Sequence, residues 1–164
     1  MSMTSRQCEI EAESFAACLF AQAGYDVLVQ YGPNQPHHDL VANKGSKLFP
    51  ISVKGSQDGG WMLAVKYVKL CANYHEAIDM WLAAQRKDVV FLFIQFIGVE
   101  FGTTPRACIA RTPEIAVQMK TQCHGRGHGA LLEYYQRDHP ESKYDHRIPP
   151  AWIFSQRRLG EIEL

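Results

Sequence analysis

A run of apolar side chains in the middle of the chain does most to constrain its fold. Residues 89–97 have the sequence VVFLFIQFI, in which Gln95 is the single polar side chain. A β-strand that is apolar on both faces must be covered on both faces, as strands are inside the sheets of α/β proteins. The run therefore predicts a central strand with further layers of structure on either side of it.

The neighbouring segments supply elements for those layers. Apolar residues at helical spacing predict helices over 7–23 and 74–86, and Thr112-Pro113-Glu114 is typical of the start of a third helix, which runs to Lys120. Strands are predicted over 25–31, 38–43, 48–54 and 107–110, with a weaker candidate over 61–68. Residues 38–54 together form a predicted hairpin that turns at 44–47. The expected fold is α/β, with a central mixed sheet flanked by helices.

The length of 164 residues fits one domain over 1–164 better than two. Its predicted core spans about 7–120. A polar excursion follows over about 121–150, with a short helix at 131–137, and a C-terminal element over 151–164 ends in a polar terminus.

Composition limits the partners and the compartment. Lysine plus arginine and aspartate plus glutamate both total 17, so the net charge gives no reason to expect nucleic-acid binding, although a local basic face is compatible with it. Five cysteines without a CxxC pair favour a reducing cytoplasm over a disulfide framework. The apolar runs are too short to span a membrane, so no membrane partner is expected.

Polar residues of the predicted hairpin are placed to meet at one edge of the sheet. Asp39 begins one arm, and Ser52 and Lys54 end the other. Because strand side chains alternate, Ser52 and Lys54 point to one face, while Ile51 and Val53 point to the opposite face. A carboxylate, a hydroxyl and an ammonium group at one place suit phosphodiester hydrolysis, in which carboxylates hold Mg²⁺ or Mn²⁺ and a lysine offsets charge.

These segments resemble the core of the PD-(D/E)xK nucleases, the restriction-endonuclease-like superfamily. The matching residues are 38–42 (HDLVA), a turn at Gly45 and 51–56 (ISVKGS), and they are similar to members with the pattern DLVA…G…IxVKxS. The helix before them, and the YHEAIDMWL helix and VVFLFIQF strand after them, follow in the expected order. The resemblance covers roughly residues 9–99, and the C-terminal AWIFSQRRLGEI is similar to the tail of small proteins of this superfamily.

The resemblance implies a role for each matching residue. Asp39 corresponds to the metal-binding aspartate and Lys54 to the motif lysine, and the main-chain carbonyl of Val53 is implied as a further metal ligand. Glu13 is the preferred helix-borne acid, and Glu9, four residues earlier on the same helix face, is its competitor. The implied cofactor is Mg²⁺ or Mn²⁺, and the implied partners are DNA and a second copy of the chain in a homodimer.

Ser52 departs from the family pattern, which has Glu, Asp or sometimes Gln at this position. A hydroxyl is neutral and short, so one charged metal ligand is missing. Asp58 and Glu76 are the candidates to replace it, and Gln57 resembles a polar residue that related nucleases place near the site. Two functions therefore stay open: a divalent-metal-dependent DNA endonuclease, and a catalytically inactive module that binds nucleic acid or protein on the same scaffold.

Simpler interpretations stand beside these. Asp39 is also a typical residue at the start of a hairpin strand, and Lys54 a typical solvated strand end. Cys108, Cys123 and the histidines 124, 128, 139 and 146 raise the question of zinc, but the paired spacing of known zinc modules is absent. Solvated loop histidines are the preferred interpretation of this segment.

Overall fold

The computed structural model describes residues 3–30, 38–134 and 146–163. Both helices and strands occur within these ranges. In chain order they are α1 (Ser5–Gln22), β1 (Asp26–Val29), β2 (Leu40–Lys44), β3 (Lys47–Ser56), β4 (Gly60–Trp61), α2 (Val65–Val68), α3 (Tyr74–Ala83), β5 (Val90–Gln95), β6 (Arg106–Arg111), α4 (Thr112–Thr121), β7 (Leu131–Leu132), a 3-10 helix (Pro150–Trp152) and α5 (Gln156–Glu163). None of the helices in the described ranges is both long and apolar enough to cross a membrane.

Five of the described strands form one mixed sheet in the order β1-β2-β3-β5-β6. Strands β3 and β5 are parallel, and the other neighbouring pairs are antiparallel. A parallel pair needs a crossover connection, which α2 and α3 provide here. All six residues of β5 are buried, which confirms the predicted central strand. The fold is α/β with a central mixed sheet flanked by helices, as the sequence predicts.

The β2–β3 hairpin sets the register of the edge that carries Asp39 and Lys54. Lys44 pairs with Lys47 at the turn, and Leu40 pairs with Ile51 toward the open end. Gly45 has a φ of 64° in the two-residue connection, a conformation that glycine adopts without the penalty of a Cβ atom. The turn thereby fixes which face of the sheet each following side chain occupies.

Separate apolar layers cover the two faces of the sheet. On one face, α1 and α5 pack against residues that include Leu40, Ile51 and Leu92. A Cβ atom at Gly55 would lie 3.0 Å from both the Ala12 Cβ and the Cys8 Sγ, so α1 approaches β3 as closely as a glycine allows. The other face is covered by α3 and α4. Its cluster includes Trp61, Ile78, Trp81, Phe91, Phe93 and Ile115.

Two predictions for the second half of the chain are wrong in the choice of element. Residues 61–68 are not one strand, because the short β4 ends at Trp61 and Val65–Val68 forms a helical turn. Between them, the Ala64 N–H donates a hydrogen bond to the Gly129 carbonyl at 2.8 Å. The helix predicted at 131–137 is replaced by Leu131–Leu132, which pairs with β4, and residues 135–137 lie outside the described ranges. In both places long-range pairing overrides the local pattern.

The predicted polar excursion and polar terminus also need correction. Residues 129–133 are buried although the surrounding sequence is polar, and the Glu133 N–H donates to the Gly59 carbonyl at 2.8 Å. The terminus forms α5, which buries Leu159 and Ile162 on one face. Arg158 is buried beside them and is paired with Glu114 at 2.7 Å. In the sequence, Leu159 and Ile162 are surrounded by charged residues, so their helical spacing is not evident.

Candidate active site at the open end of the hairpin

Asp39 lies one residue before β2, and its carboxylate extends the hydrogen bonding between β2 and β3. The Asp39 N–H donates to the Ile51 carbonyl at 2.8 Å, and Asp39 Oδ2 accepts from the Val53 N–H at 2.6 Å. No residue in the described ranges donates a hydrogen bond to Oδ1. One oxygen of Asp39 is thus held by the backbone of β3, and the other has no protein donor among those residues.

Ser52 and Lys54 approach the same carboxylate from β3. The Ser52 hydroxyl donates to Asp39 Oδ2 at 3.3 Å, and the Lys54 Nζ lies 3.6 Å from that oxygen. Ser52 is only 6% exposed, whereas the side chains of Lys54 and Asp39 are 42% and 21% exposed. The alternation along β3 therefore brings the three polar side chains together at one solvent-accessible place.

Glu13 reaches this place from α1, on the opposite side of the sheet. It lines the same cavity of about 810 Å³ as Asp39, Ser52 and Lys54. The pKa of Glu13 is raised, mainly by burial and further by the negative charges of Asp39 and Glu9, while Arg6 and Lys54 act in the opposite direction. Two carboxylates that repel each other inside one cavity form a place that favours a cation.

Glu9, the competing acid, is exposed on α1 and is paired with Arg6 at 2.8 Å. It also lines the cavity. Because the Arg6 guanidinium already neutralises Glu9, Glu13 stays the better placed of the two acids.

Replacing Glu13 with glutamine is expected to raise the free energy of unfolding at pH 7 in the absence of divalent cations. A raised pKa in the folded state means that Glu13 favours folding while it is protonated. This contribution is fully present below the pKa in the unfolded chain, about 4.3, and is lost as the pH rises through the folded-state pKa. Solvent screening keeps the expected gain below about 1 kcal/mol.

The measurement is denaturant unfolding of the wild type and Glu13→Gln in EDTA from about pH 4 to pH 8. Glu11→Gln is the matched control, since Glu11 is exposed on the same helix. The electrostatic account of this residue is contradicted if the free energy of unfolding of Glu13→Gln changes with pH in the same way as that of the wild type, or if it is lower than that of the wild type at pH 7.

The Val53 carbonyl is also directed toward this edge. In a β-strand the N–H and C=O of one residue point to the same neighbouring strand. Since the Val53 N–H points to Asp39, its carbonyl oxygen faces the same side. The predicted main-chain ligand is thus placed on the side of the predicted carboxylate ligand.

The three auxiliary candidates are engaged elsewhere. The Gln57 side chain makes two hydrogen bonds with the backbone of Met3, each 2.8 Å long, and so anchors the start of α1. Asp58 lines the cavity, but its carboxylate accepts from Ser56 and from the Gly60 N–H, both at 3.0 Å. Glu76 caps the first turn of α3 and does not line the cavity. Asp58 thus stays a candidate for the acid that is missing at Ser52, whereas Glu76 lies outside the lining of the cavity.

Trp61 is a residue of this site that the sequence did not indicate. Its indole N–H donates to the Lys54 carbonyl at 2.8 Å, and its ring packs edge-on against Phe93 at 5.2 Å. Trp61 therefore fixes the backbone that carries Lys54. In the sequence, the position of Trp61 directly after Gly59 and Gly60 in a short connection could have indicated this role.

Among the described residues, no group of three or more His, Cys, Asp or Glu side chains is placed to hold a metal ion, either in the Cys/His segment or at the hairpin, where Asp39 and Glu13 are two carboxylates. Cys123 Sγ lies 3.8 Å from His146 Nε2, and both residues are buried. His128 stacks on Tyr74 at 5.5 Å. His139 lies outside the described ranges. The histidines at 128 and 146 thus pack against other residues, which corrects the expectation of solvated loop histidines.

Comparison of the chain with models of known protein families and with curated proteins found no match to either.

Proposed function

We propose that this protein is a divalent-metal-dependent nuclease that hydrolyses phosphodiester bonds in DNA. The observation that carries the proposal is the meeting of Asp39 and Lys54 at 3.6 Å in a cavity that Glu13 also lines. The resemblance of residues 38–42 and 51–56 to the PD-(D/E)xK core supports it, because in that core an aspartate and a lysine occupy these two positions.

The donors present fit a hard cation such as Mg²⁺ or Mn²⁺. Asp39, Glu13 and the Val53 carbonyl offer oxygen atoms only, and Mg²⁺ is commonly held by one or two carboxylates with water and substrate phosphate as its other ligands. The negative charge of Asp39 contributes to the raised pKa of Glu13, and a cation bound between the two carboxylates would relieve that repulsion. When bound, the cation would lower the pKa of a water molecule and withdraw charge from the phosphate.

The side chains of the chain have distinct roles in this proposal. Asp39 Oδ2 is held by the Val53 N–H, which leaves Oδ1, an oxygen without a hydrogen-bond donor among the described residues, for a cation. The Lys54 ammonium stabilises negative charge that develops on the phosphate oxygens, and Trp61 positions the backbone of Lys54. Glu13 acts as the second carboxylate that would hold the cation.

Ser52 favours a second candidate function, a non-catalytic module that binds nucleic acid or a protein partner. Its buried hydroxyl stands where the motif has a carboxylate, and of the two candidate replacements Glu76 does not line the cavity while Asp58 already accepts hydrogen bonds from Ser56 and Gly60. A cavity with fewer negative charges holds a cation more weakly, so catalysis is the first property that such a change removes.

The two functions are separated by metal titration and cleavage with the wild-type protein. We expect calorimetry to show weak Mg²⁺ binding, in the millimolar range, and plasmid nicking that is faster with Mn²⁺ and absent in EDTA. Cleavage that persists in EDTA would contradict the metal-dependent mechanism. Absence of both binding and cleavage at about 10 mM of either metal would favour the non-catalytic module.

A further inference from the structure

Exposed basic side chains occur on two segments that are distant in the sequence and that are hydrogen-bonded to each other. Lys66 and Lys69 are exposed on and after α2, and His75 is exposed on α3. Arg126 is exposed on the connection after α4. We call these four residues the basic strip.

Direct contacts hold the two segments together. The Ala64 N–H donates to the Gly129 carbonyl, and His75 Nε2 is hydrogen-bonded to the Gly125 carbonyl, both at 2.8 Å. The Arg126 guanidinium lies over the Tyr74 ring at 5.5 Å. The two segments that carry the strip are therefore joined by hydrogen bonds and by a cation–π contact.

The two segments that carry the strip contain no acidic residue. The segments 59–75 and 121–130 contain no aspartate or glutamate, although acidic and basic residues are equal in number over the whole chain. The nearest acids in sequence, Asp58 and Glu76, accept hydrogen bonds within their own turns. Asp79 lies one turn after His75 on α3 and is paired with Lys120 at 2.6 Å. Lys66, Lys69 and Arg126 form no ion pair with a described residue, and unpaired positive charge of this kind suits a surface that binds a polyanion.

The strip is continuous with the candidate active site. Lys66 and Tyr67 line the cavity that also contains Asp39 and Lys54, and the Lys66 Nζ lies over the Tyr67 ring at 4.8 Å. A polyanion bound to the strip can therefore extend into the cavity that contains the carboxylates. The positive charge of Lys66 at the cavity would offset part of the repulsion between a phosphate chain and the negative charges of Asp39 and Glu13.

We propose that the basic strip binds the phosphate backbone of DNA that extends from the cavity, and so holds the substrate in register with Asp39 and Lys54. This inference rests on the proposed function for its choice of substrate. Lys66, Lys69 and Arg126 supply permanent positive charges, and each phosphate neutralised on a duplex contributes about 0.9 to the slope of log affinity against log salt concentration. Removal of all three charges should lower that slope by about 2 to 3.

The test compares two triple-alanine variants that remove the same charge. One carries Lys66→Ala, Lys69→Ala and Arg126→Ala. The control carries Lys44→Ala, Lys47→Ala and Arg157→Ala, which change exposed bases at the turn of the hairpin and on α5. Fluorescence anisotropy with a labelled duplex of about 20 base pairs, and with one of its strands alone, is measured in EDTA over a range of salt concentrations, so that cleavage does not interfere.

We expect the strip variant to lose at least about tenfold in affinity at 0.1 M salt and the control to lose less than about threefold. A loss for the duplex alone assigns the strip to duplex DNA, and a loss for both probes assigns it to single strands as well; both outcomes support the proposal. Equal losses in the two variants, no loss in the strip variant, or no DNA binding by the wild type would overturn it.

The experiments distinguish failure of the basic-strip proposal from failure of the nuclease proposal. A wild type that cleaves in Mg²⁺, together with a strip variant that binds and cleaves equally well, overturns the strip alone. A wild type that binds DNA through the strip but neither binds metal nor cleaves leaves the strip in place and overturns the nuclease.

Discussion

Replacing Lys54 with alanine is expected to lower the rate of metal-dependent DNA cleavage by at least about a hundredfold while the protein stays folded. Loss of one group that stabilises developing charge in an active site costs about 10²–10³ in rate. The side chain is 42% exposed and its ion pair with Asp39 is partly solvated, so the free energy of unfolding should change by less than about 1 kcal/mol. Plasmid cleavage and denaturant unfolding measure the two effects.

Lys47→Ala is the matched control, because Lys47 is an exposed lysine at the opposite end of β3. Its cleavage rate should equal that of the wild type. Similar rates for wild type, Lys54→Ala and Lys47→Ala would remove Lys54 from the chemistry, and the cleavage would then belong to another part of the molecule or to a contaminant.

Replacing Ser52 with glutamate is expected to tighten Mg²⁺ binding by about tenfold or more and to raise the cleavage rate. An added carboxylate within about 4 Å of a cation near a protein surface contributes several kcal/mol of Coulomb attraction, part of which is lost to desolvation. Ser52 already contacts Asp39 Oδ2, so the new carboxylate starts beside the predicted ligand. Without metal the same change should lower the melting temperature, since it adds a third negative charge to Asp39 and Glu13.

The control for this prediction is Ser52→Gln, which has the size of glutamate without its charge. It should not tighten metal binding. Calorimetric titration and thermal unfolding with and without Mg²⁺ distinguish the cases. If the wild type binds Mg²⁺ tightly and Ser52→Glu is unchanged, another acid supplies the missing charge; if Ser52→Gln gains as much as Ser52→Glu, size and not charge is responsible.

The parts of the fold that follow from local pattern could be predicted from the sequence. The all-apolar run at 89–97 identifies the buried strand, and the period of two in 51–54 places Ser52 and Lys54 on one face. The meeting of Asp39 with Lys54 then follows from a short hairpin with Gly45 at its turn. These inferences need only neighbours that are close in the sequence.

The rest depends on contacts between distant residues, which no local pattern contains. Leu131 forms a strand because it pairs with Trp61, and α5 packs on the sheet through Leu159, Ile162 and the ion pair between Arg158 and Glu114. Likewise, Asp58 and Gln57 are typical loop residues in the sequence, and only the structure shows that their side chains are already used. The functional roles of Asp39, Glu13 and Lys54 stay proposals for the experiments above.

The close approach of α1 to β3 at Gly55 has a consequence for thiol chemistry. The Cys8 Sγ would lie 3.0 Å from a Cβ at Gly55, so the seam between helix and strand has no room for even one additional carbon atom. Burial, together with the charges of Glu11 and Asp58, raises the pKa of Cys8, which makes its thiol a slow nucleophile in place. Cys8 also lines the cavity that contains Asp39 and Glu13. Because the seam has no room for added atoms, a bulky adduct on the Cys8 thiol is expected to push α1 away from β3, and with it Glu13 away from Asp39.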